Sequence, residues 1–446
     1  MSDKTYSAQE LVDLNRKYTL FSWAVQNTVN PIPAGRAEGV YLWDVEGKRY
    51  IDFASQLMNV NIGHGDKRVI QAIKDQADQL LYVYPGMATK VRGELGEMLA
   101  EITPSRLTKS FFTLGGAEAV ENAMKIARLY TGKQKVLARY RSYHGATAGA
   151  ATAGGDPRGT PVEPGVPWIV HVHDPYRYRC LFCRDLDGCN LMCADHIEQT
   201  ILFEGPETVA AILLEGYNGS SGIIAPPDPE YWQRIRAMCD RYDIMLISDE
   251  VMSGFGRTGE WFGIDLYGVE PDIIATAKGL TSGYLPLGAT IVSDDIAAHF
   301  EDKMLFAGLT YSAHPMSCAA AIANLKVIQE DNLLDNTKKM GKVLDKGLRD
   351  LQAEHPSVGD VRGVGLFYVI ELVKNRDTRE PMSGWNKPMS EAMQKVAATI
   401  RQNGMSTFVK WDWIFCVPPL IVNEEQINEG LEIINGALAV ADEYTD

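Results

Sequence analysis

An aspartate and a lysine each follow an apolar run, and they are 29 residues apart in the chain. Asp249 ends the run MLISD, and Lys278 follows the run DIIATA. If both runs are strands of one parallel sheet, both side chains emerge at its carboxyl edge, where ligands bind. A desolvated lysine there has a lowered pKa and can attack a carbonyl carbon, while the carboxylate suits a cationic heterocycle. Pyridoxal 5′-phosphate (PLP) chemistry needs this pair, with Lys278 as the Schiff-base lysine and Asp249 protonating the pyridine nitrogen.

A third feature is a candidate phosphate site. The segment LGGAEA, which starts at Leu114, leads from an apolar run directly into a helical pattern. Glycines permit close approach of the backbone, and amides at a helix N-terminus can hold a phosphate. A Gly-Gly pair alone is typical of a tight turn, Asp249 alone of a helix cap, and Lys278 alone of a solvated loop. The three features together, in this order, favour a cofactor site.

The segments around these residues alternate between apolar strands and amphipathic helices, which is typical of a parallel sheet with crossover helices. The predicted strands are 109–114, 136–140, 168–172, 209–215, 245–249, 273–277 and 289–293. The predicted helices are 117–130, 229–242 and 315–329. We therefore predict an α/β fold with a mostly parallel sheet and helices on both of its faces.

The two ends of the chain have a different pattern. The segment GVYLWDVEGKRYID, residues 39–52, predicts a β-hairpin because two alternating runs flank an acidic-glycine turn. From about residue 332 the pattern indicates a helix, a strand at 364–372, a second helix, a short strand at 414–417 and a last helix from Glu424. We expect three parts: an N-terminal segment and hairpin (1–60), a cofactor-binding large domain (61–330) and a C-terminal part (331–446). The first and third parts form a smaller α+β domain.

The composition excludes several classes of protein. A chain of 446 residues with 46% hydrophobic and 23% charged residues is typical of a globular protein. The formal net charge of −15 argues against nucleic acid or an anionic membrane as a partner. No apolar run is long enough to cross a bilayer, and the first residues lack a signal-peptide pattern. These features predict a cytoplasmic location.

Four of the seven cysteines are close together in the sequence. Cys180, Cys183, Cys189 and Cys193 form a CxxC pair followed by a CxxxC pair, and thiolates at such spacing can bind zinc. The five residues between the pairs are fewer than in the usual two-knuckle pattern. In a chain without an export signal, cysteines are expected to be reduced thiols. We therefore predict no metal site, and a structural zinc is the alternative.

Five segments of the sequence resemble one known family. They are LGGAEAVENAMKIAR from Leu114, YHGAT from Tyr143, SDEVMSGFGRTGEWF from Ser248, PDIIATAKGL from Pro271 and GLTYSAHPMSCAAA from Gly308. In content and order these segments resemble the class III aminotransferases of PLP fold type I. The resemblance spans nearly the whole chain.

This resemblance implies roles for individual residues. Tyr143 would stack on one face of the cofactor ring, and Val251 would pack against the other. Gly116 and Ala117 would bind the phosphate through their backbone amides. Thr310 would donate its hydroxyl to the phosphate of a neighbouring subunit, which implies a homodimer or a dimer of dimers with shared active sites.

The resemblance also indicates a substrate pocket, with one departure from the family pattern. Glu215 matches a family acid that commonly pairs with an active-site arginine. In many relatives this arginine precedes the C-terminal Pro-Pro, but Phe408 is at the aligned position here. Lys410 is the predicted replacement cation, paired with Glu215 when the site is empty. A solvated lysine is the alternative, which would shift the role to Arg141 or Arg257. The other implied pocket residues are Phe21, Trp23, Met58 and Tyr84.

Together these features predict an aminotransferase that moves an amino group from an ω-amino acid or primary amine to pyruvate or 2-oxoglutarate. The expected partners are therefore a small-molecule amine donor and a keto acid acceptor. The nearest alternative is racemisation or β-elimination on the same scaffold, because the motifs do not determine which bond breaks. An alternative of another class is a non-catalytic metal-binding scaffold organised by the cysteines. The intact Lys278 and Asp249 argue against that alternative.

Overall fold

The structure is a computed structural model that describes residues 6–183 and 188–446. Its central element is a seven-stranded sheet. In spatial order the strands are Leu107–Thr113, Gly288–Ser293, Ile273–Thr276, Met245–Asp249, Val209–Glu215, Lys135–Arg139 and Ile169–Val172. Gly288–Ser293 is antiparallel to both of its neighbours, and the other pairings are parallel. The predicted mostly parallel sheet is confirmed.

Helices cover both faces of this sheet because the side chains of its strands alternate between two cores. Val136 and Ala138 are buried in one core, and Leu137 between them is buried in the other. The first core contains the helices Gly116–Thr131, Ala148–Ala153 and Asp294–His299. The second contains Lys67–Gln79, Lys90–Ile102, Met192–Glu204, Glu230–Tyr242 and Pro315–Glu330. Apolar residues on both sides of each strand explain why the strands appear as continuous apolar runs in the sequence.

A second sheet joins the two ends of the chain. Tyr41–Asp44 and Arg49–Asp52 are antiparallel, which confirms the predicted hairpin. Ala34–Glu38 extends this hairpin on one side. On the other side Met405–Ser406, from the C-terminal part, pairs in parallel with Arg49–Asp52. The N-terminal helix Ala8–Tyr18 precedes this sheet.

A third sheet belongs to the C-terminal part. Its strands are Val358–Val364, Phe367–Asn375, Trp413–Cys416 and Val409–Lys410, and Glu380–Pro381 also pairs with the second of them. The helices Leu333–Glu354, Glu391–Gln402 and Glu424–Asp442 belong to the same part of the chain. The predicted strand at 364–372 is present as Phe367–Asn375, but the preceding strand Val358–Val364 was not predicted. The chain turns at Gly365, where φ is +59°, and the second strand returns antiparallel to the first. Apolar residues on both sides of the glycine conceal this turn in the sequence.

The helices in the described part of the chain are at most 22 residues long. None of them is long and apolar enough to cross a bilayer.

Candidate active site

Neighbouring strands bring three ionisable residues to one edge of the central sheet. Glu215 and Asp249 are register partners at the ends of adjacent parallel strands. Lys278 lies just after Ile273–Thr276, the next strand in the sheet. A cavity of about 260 Å³ opens at this edge. It is lined by Gly116, Ala117, Tyr143, His144, Gly145, Ala146, Glu215, Tyr217, Asp249, Val251, Met252 and Lys278.

Lys278 has the electrostatic environment expected for a nucleophilic amine. Burial disfavours its charged form and lowers its pKa to about 8, although the charge of Asp249 acts in the opposite direction. A lysine with this pKa has a substantial neutral fraction near neutral pH. Its backbone φ is +42°, a region that a residue with a Cβ rarely adopts. The backbone at the end of the strand is thus held in an uncommon conformation that directs the amine into the cavity.

Asp249 is held by a buried histidine that the sequence analysis did not identify. Its Oδ2 lies 2.6 Å from His144 Nδ1, and its Oδ1 accepts the Val251 N–H at 2.9 Å. Burial opposes the protonation of His144, but the hydrogen bond and charge of Asp249 dominate and raise the pKa of the imidazole. His144 Nε2 has no partner among the described residues. The contact with His144 fixes the carboxylate in an orientation facing the cavity.

The turn before the helix Gly116–Thr131 has room for an anion. Gly115 is the N-cap, with an extended backbone and no side chain to satisfy the first amides of the helix. A Cβ on Gly116 would lie 2.9 Å from Val251 Cγ1, so a side chain at this position would fill the gap between the turn and Val251. Gly116, Tyr143, Val251 and Lys278 line one cavity, whose aromatic and aliphatic walls suit a flat ring and whose helix N-terminus suits a phosphate. The residues present therefore fit PLP.

Arg158 contacts the Tyr143 ring and shares its carboxylate partner with a second cation, Lys410. The guanidinium of Arg158 is 3.7 Å from the centroid of the Tyr143 ring. Trp23 meets the same ring edge to face, with 6.0 Å between centroids. Arg158 and Lys410 share the carboxylate of Asp156, and Lys410 Nζ is 3.4 Å from Asp156 Oδ2. Positive charge is thus concentrated beside the cavity.

The predicted pairing of Lys410 with Glu215 is wrong. Glu215 instead accepts hydrogen bonds from the Asn218 amide and, at 3.3 Å, from the Gly219 N–H. Burial raises the pKa of Glu215 to about 7. Lys410 belongs to a strand of the C-terminal sheet, and from there its side chain reaches Asp156. The packing of segments that are distant in the sequence brings Lys410 to Asp156, and no spacing in the sequence indicates this pairing.

The two alternative cations, Arg257 and Arg141, have partners of their own. Arg257 is buried and donates to Ser55 Oγ, Asn61 Oδ1 and the Leu366 and Pro418 carbonyls. Arg141 Nη1 lies 3.1 Å from Asp174 Oδ2. Neither lines the Lys278 cavity. Phe408 packs against Phe415, with 5.3 Å between ring centroids, and Met58 is buried in the same apolar cluster.

Two predicted site residues lie elsewhere in the same subunit. Tyr84 and Thr310 line a second cavity of about 470 Å³, which also includes Tyr82 and Arg92. The Tyr82 hydroxyl donates to the Thr310 carbonyl at 2.8 Å. Both predicted residues are exposed, and neither lines the Lys278 cavity. Within one chain the structure therefore separates them from the other predicted residues.

The residues that sequence reasoning missed left only weak signals. His144 follows Tyr143 and precedes Gly145 and Ala146, so small neighbours let the backbone approach the sheet edge. Arg158 follows Asp156 by two residues, a spacing that allows the Asp156 side chain to cap the next turn and hold the arginine. Such short polar motifs are common in loops. Only the tertiary contacts give them a role.

The predicted cysteine cluster is present as free thiols. The Cys183 N–H donates to Cys180 Sγ at 3.3 Å, and Cys183 Sγ donates to Asn190 Oδ1 at 3.2 Å. Residues 184–187, within this segment, lie outside the described part of the chain. Among the described residues, no group of three or more His, Cys, Asp or Glu side chains is arranged to hold a metal ion.

Comparison with known proteins gives consistent matches over nearly the whole chain. The family model of class III aminotransferases matches residues 22–438. A probable aminotransferase of Mycobacterium tuberculosis is 40% identical over 417 residues, which cover 90% of this chain and 88% of that protein. Putrescine–pyruvate aminotransferase of Pseudomonas aeruginosa is 36% identical over 407 residues, with coverage of 88% and 87%. The structure of taurine:2-oxoglutarate aminotransferase from Bifidobacterium kashiwanohense, in complex with PLP and glutamate, has a TM-score of 0.94 and 37% identity; the match covers 99% of this chain and 100% of that chain.

A mostly parallel sheet with a lysine and a histidine-bound aspartate at its carboxyl edge defines a PLP-dependent enzyme of fold type I. The chain belongs to the class III aminotransferase family. It is a PLP-dependent aminotransferase, as the resemblance of its motifs predicted.

Proposed function

We propose that this aminotransferase takes its amino group from an ω-amino acid, an ω-amino sulfonate or a primary amine and passes it to pyruvate or 2-oxoglutarate. The observation that carries the proposal is Arg158, whose guanidinium covers the Tyr143 ring beside the Lys278 cavity. A guanidinium binds sulfonate and carboxylate groups through paired N–H donors. Relatives named for taurine and for putrescine support this range of donors.

The geometry of the cavity floor supports the roles that we propose for its residues. When bound, PLP supplies a cationic conjugated ring that takes up the electron pair released at the donor carbon. Lys278 would hold the cofactor covalently between turnovers, and its neutral amine would take the proton from the donor carbon that carries the amino group and deliver it to the cofactor. Asp249, fixed by His144, keeps a proton on the ring nitrogen. The amides of Gly116 and Ala117 hold the phosphate at the start of a helix.

The walls of the site exclude water and orient the substrates. Tyr143 and Val251 would flank the cofactor ring, which aromatic and branched aliphatic side chains suit. Trp23, Met58 and Glu215 would form the substrate pocket with the cation Lys410.

We further propose a homodimer, or a dimer of dimers, whose subunits share active sites. Thr310 and Tyr84 would complete the site of the neighbouring subunit, because within their own subunit they line a different cavity. Exposed apolar side chains near them, including Met87, Met304 and Phe306, offer a surface for such contact. A cytoplasmic location and the division into 1–60, 61–330 and 331–446 are part of the same proposal. The seven free thiols agree with a reducing compartment.

A half-reaction with donor alone tests the type of reaction. The purified holoenzyme is mixed with excess taurine, β-alanine or putrescine, and the carbonyl product is measured before and after pyruvate is added. An aminotransferase releases about one equivalent of carbonyl product per active site and then stops until the keto acid arrives. Continued release of carbonyl product without keto acid would assign the enzyme to elimination, and loss of the optical activity of a chiral amino acid such as L-alanine without keto acid would assign it to racemisation. Either result would contradict the proposal.

A further inference from the structure

The strongest unassigned feature beside the site is a charged cluster of three side chains: Asp156, Arg158 and Lys410. Asp156 is 4% exposed. Its Oδ1 and Oδ2 accept hydrogen bonds from Arg158 Nε at 3.0 Å and 2.9 Å, and Oδ1 also accepts one from the Arg158 backbone N–H at 2.9 Å. The carboxylate also accepts Ser221 Oγ at 3.2 Å, and Lys410 Nζ lies 3.4 Å away. A single buried carboxylate thus holds two cations from distant parts of the chain.

These contacts fix the direction of Arg158. Arg158 Nη2 also donates a hydrogen bond to Ser220 Oγ at 2.7 Å. The guanidinium therefore lies over the Tyr143 ring, 3.7 Å from its centroid, and it is 5.7 Å from the centroid of the Trp23 ring. A free arginine side chain has many rotamers, so this fixed position depends on the hydrogen bonds at its base.

The charges of the three groups do not cancel. Burial would raise the pKa of Asp156, but Arg158 and Lys410 lower it below its ordinary value, so the carboxylate stays ionised. Burial and the nearby Arg158 lower the pKa of Lys410 to about 8, and Asp156 acts in the opposite direction. Two cations with one carboxylate leave one net positive charge beside the cavity at neutral pH. Without Asp156, two cations would face each other with no counter-ion.

We infer that Asp156 is a positioning residue of the substrate pocket. Its carboxylate is the shared counter-ion of Arg158 and Lys410, and it directs the Arg158 guanidinium towards the distal end of the donor. The pocket then presents one net positive charge and favours donors that end in a single anionic group, such as a sulfonate or carboxylate, over uncharged amines. This inference rests on the proposed function, because it assigns the anionic end of the donor to Arg158.

The test compares donors that differ in charge. Single-turnover half-reactions are measured with taurine and with benzylamine on the holoenzyme and on Asp156→Asn. We expect the half-saturating concentration of taurine to rise by roughly tenfold or more, the scale of one charge-assisted contact. For benzylamine it should change less than about twofold, and the maximal rates should stay within about threefold, because Lys278 and Asp249 are untouched. Calorimetric binding of ethanesulfonate, which lacks an amine, should weaken by a similar factor and does not depend on turnover.

Two further variants separate positioning from general damage. Asp174→Asn removes a different buried carboxylate, which pairs with Arg141 and does not line the cavity, and should leave taurine binding unchanged. In an Arg158→Gln background, Asp156→Asn should have less than about twofold further effect, because Asp156 acts through Arg158. If Asp156→Asn does not fold, Ser220→Ala serves instead, with an expected rise of about threefold for taurine alone.

The inference is overturned if Asp156→Asn leaves the binding of ethanesulfonate and taurine unchanged. It is overturned equally if the half-saturating concentrations of taurine and benzylamine rise by the same factor. The inference is also overturned if the effects of Asp156→Asn and Arg158→Gln on taurine multiply in the double variant. The same holds if Ser220→Ala changes the half-saturating concentration of neither donor. Failure of the wild-type enzyme to convert any anionic donor would instead contradict the proposed function. The two failures are therefore distinguishable.

Discussion

The floor of the Lys278 cavity and the rim of the second cavity, which Tyr84 and Thr310 line, are built in different ways. On the floor, Asp249 and Glu215 are buried, and each is held by side chains or amides of the same subunit. On the rim of the second cavity, Tyr84 is 66% exposed, although large aromatic side chains are usually covered. The chemical groups are thus fixed by the central sheet, whereas the apolar residues of the rim remain open to further contact. Substitutions on the floor should therefore affect the chemistry of their own subunit, and substitutions on the rim should affect a neighbouring site.

The largest effect is expected for Lys278→Ala. Loss of the amine removes covalent attachment and proton transfer together, and proton transfer alone is worth about 10²- to 10⁴-fold in rate. The measurements are turnover and the visible absorption of the bound cofactor. Lys326→Ala, an exposed lysine on a helix, is the control and should behave as wild type. Near-normal turnover of Lys278→Ala would show that Lys278 is not the residue that binds the cofactor and transfers the proton.

A somewhat smaller effect is expected for Asp249→Asn. The amide cannot hold the ring-nitrogen proton as a carboxylate does, and its contact with His144 loses its charge. We expect the rate to fall by about 100-fold, the upper range for one charge-assisted hydrogen bond, while the cofactor stays bound. Rapid-mixing measurements of the donor half-reaction give the rate, and Asp243→Asn, at an exposed helix end, is the matched control. Full activity of Asp249→Asn would show that a charged carboxylate at residue 249 is not needed for the reaction.

Thr310→Ala tests the rim. If its hydroxyl contacts the phosphate of the neighbouring subunit, the dissociation constant for PLP should rise by roughly tenfold. Thr378→Ala, an exposed threonine of the C-terminal part, should leave it unchanged. Mixing the Lys278→Ala and Thr310→Ala proteins at limiting PLP should restore activity, because a mixed dimer contains one intact site. If subunit exchange is demonstrated but activity does not return, the sites are not shared.

The smallest effect is expected in a third region, the cysteine segment between Ile169–Val172 and Val209–Glu215. The double variant Cys183→Ser and Cys189→Ser should keep kcat/KM within about twofold of wild type, because neither thiol lines the cavity. Elemental analysis of protein purified without chelator measures bound metal directly. One equivalent of zinc per chain, with loss of fold and activity on chelation, would make this segment a structural metal site.

Prediction from sequence worked best for the floor. The strands Val209–Glu215 and Met245–Asp249 match the predicted ranges, because strands buried on both faces appear as unbroken apolar runs. The position of Lys278 at the same edge follows from parallel strand order alone. Prediction failed where a glycine turn interrupts an apolar run, as at Gly365, and where partners come from distant segments. The pairing of Lys410 with Asp156 is such a case, since 254 residues separate the two side chains.

The sequence by itself determined the class of fold, the family, the cofactor and the lysine–aspartate pair. These depend on local patterns: apolar periodicity, the order of strands and helices, and motifs of a few adjacent residues. Only the tertiary structure decided which side chains meet across the sheet edge. It joined His144 to Asp249, placed Arg158 against Tyr143 and gave Lys410 a different partner from the predicted one. It also left Tyr84 and Thr310 outside the Lys278 cavity of their own subunit. Such contacts depend on how separate elements pack, and no spacing along one chain records that packing.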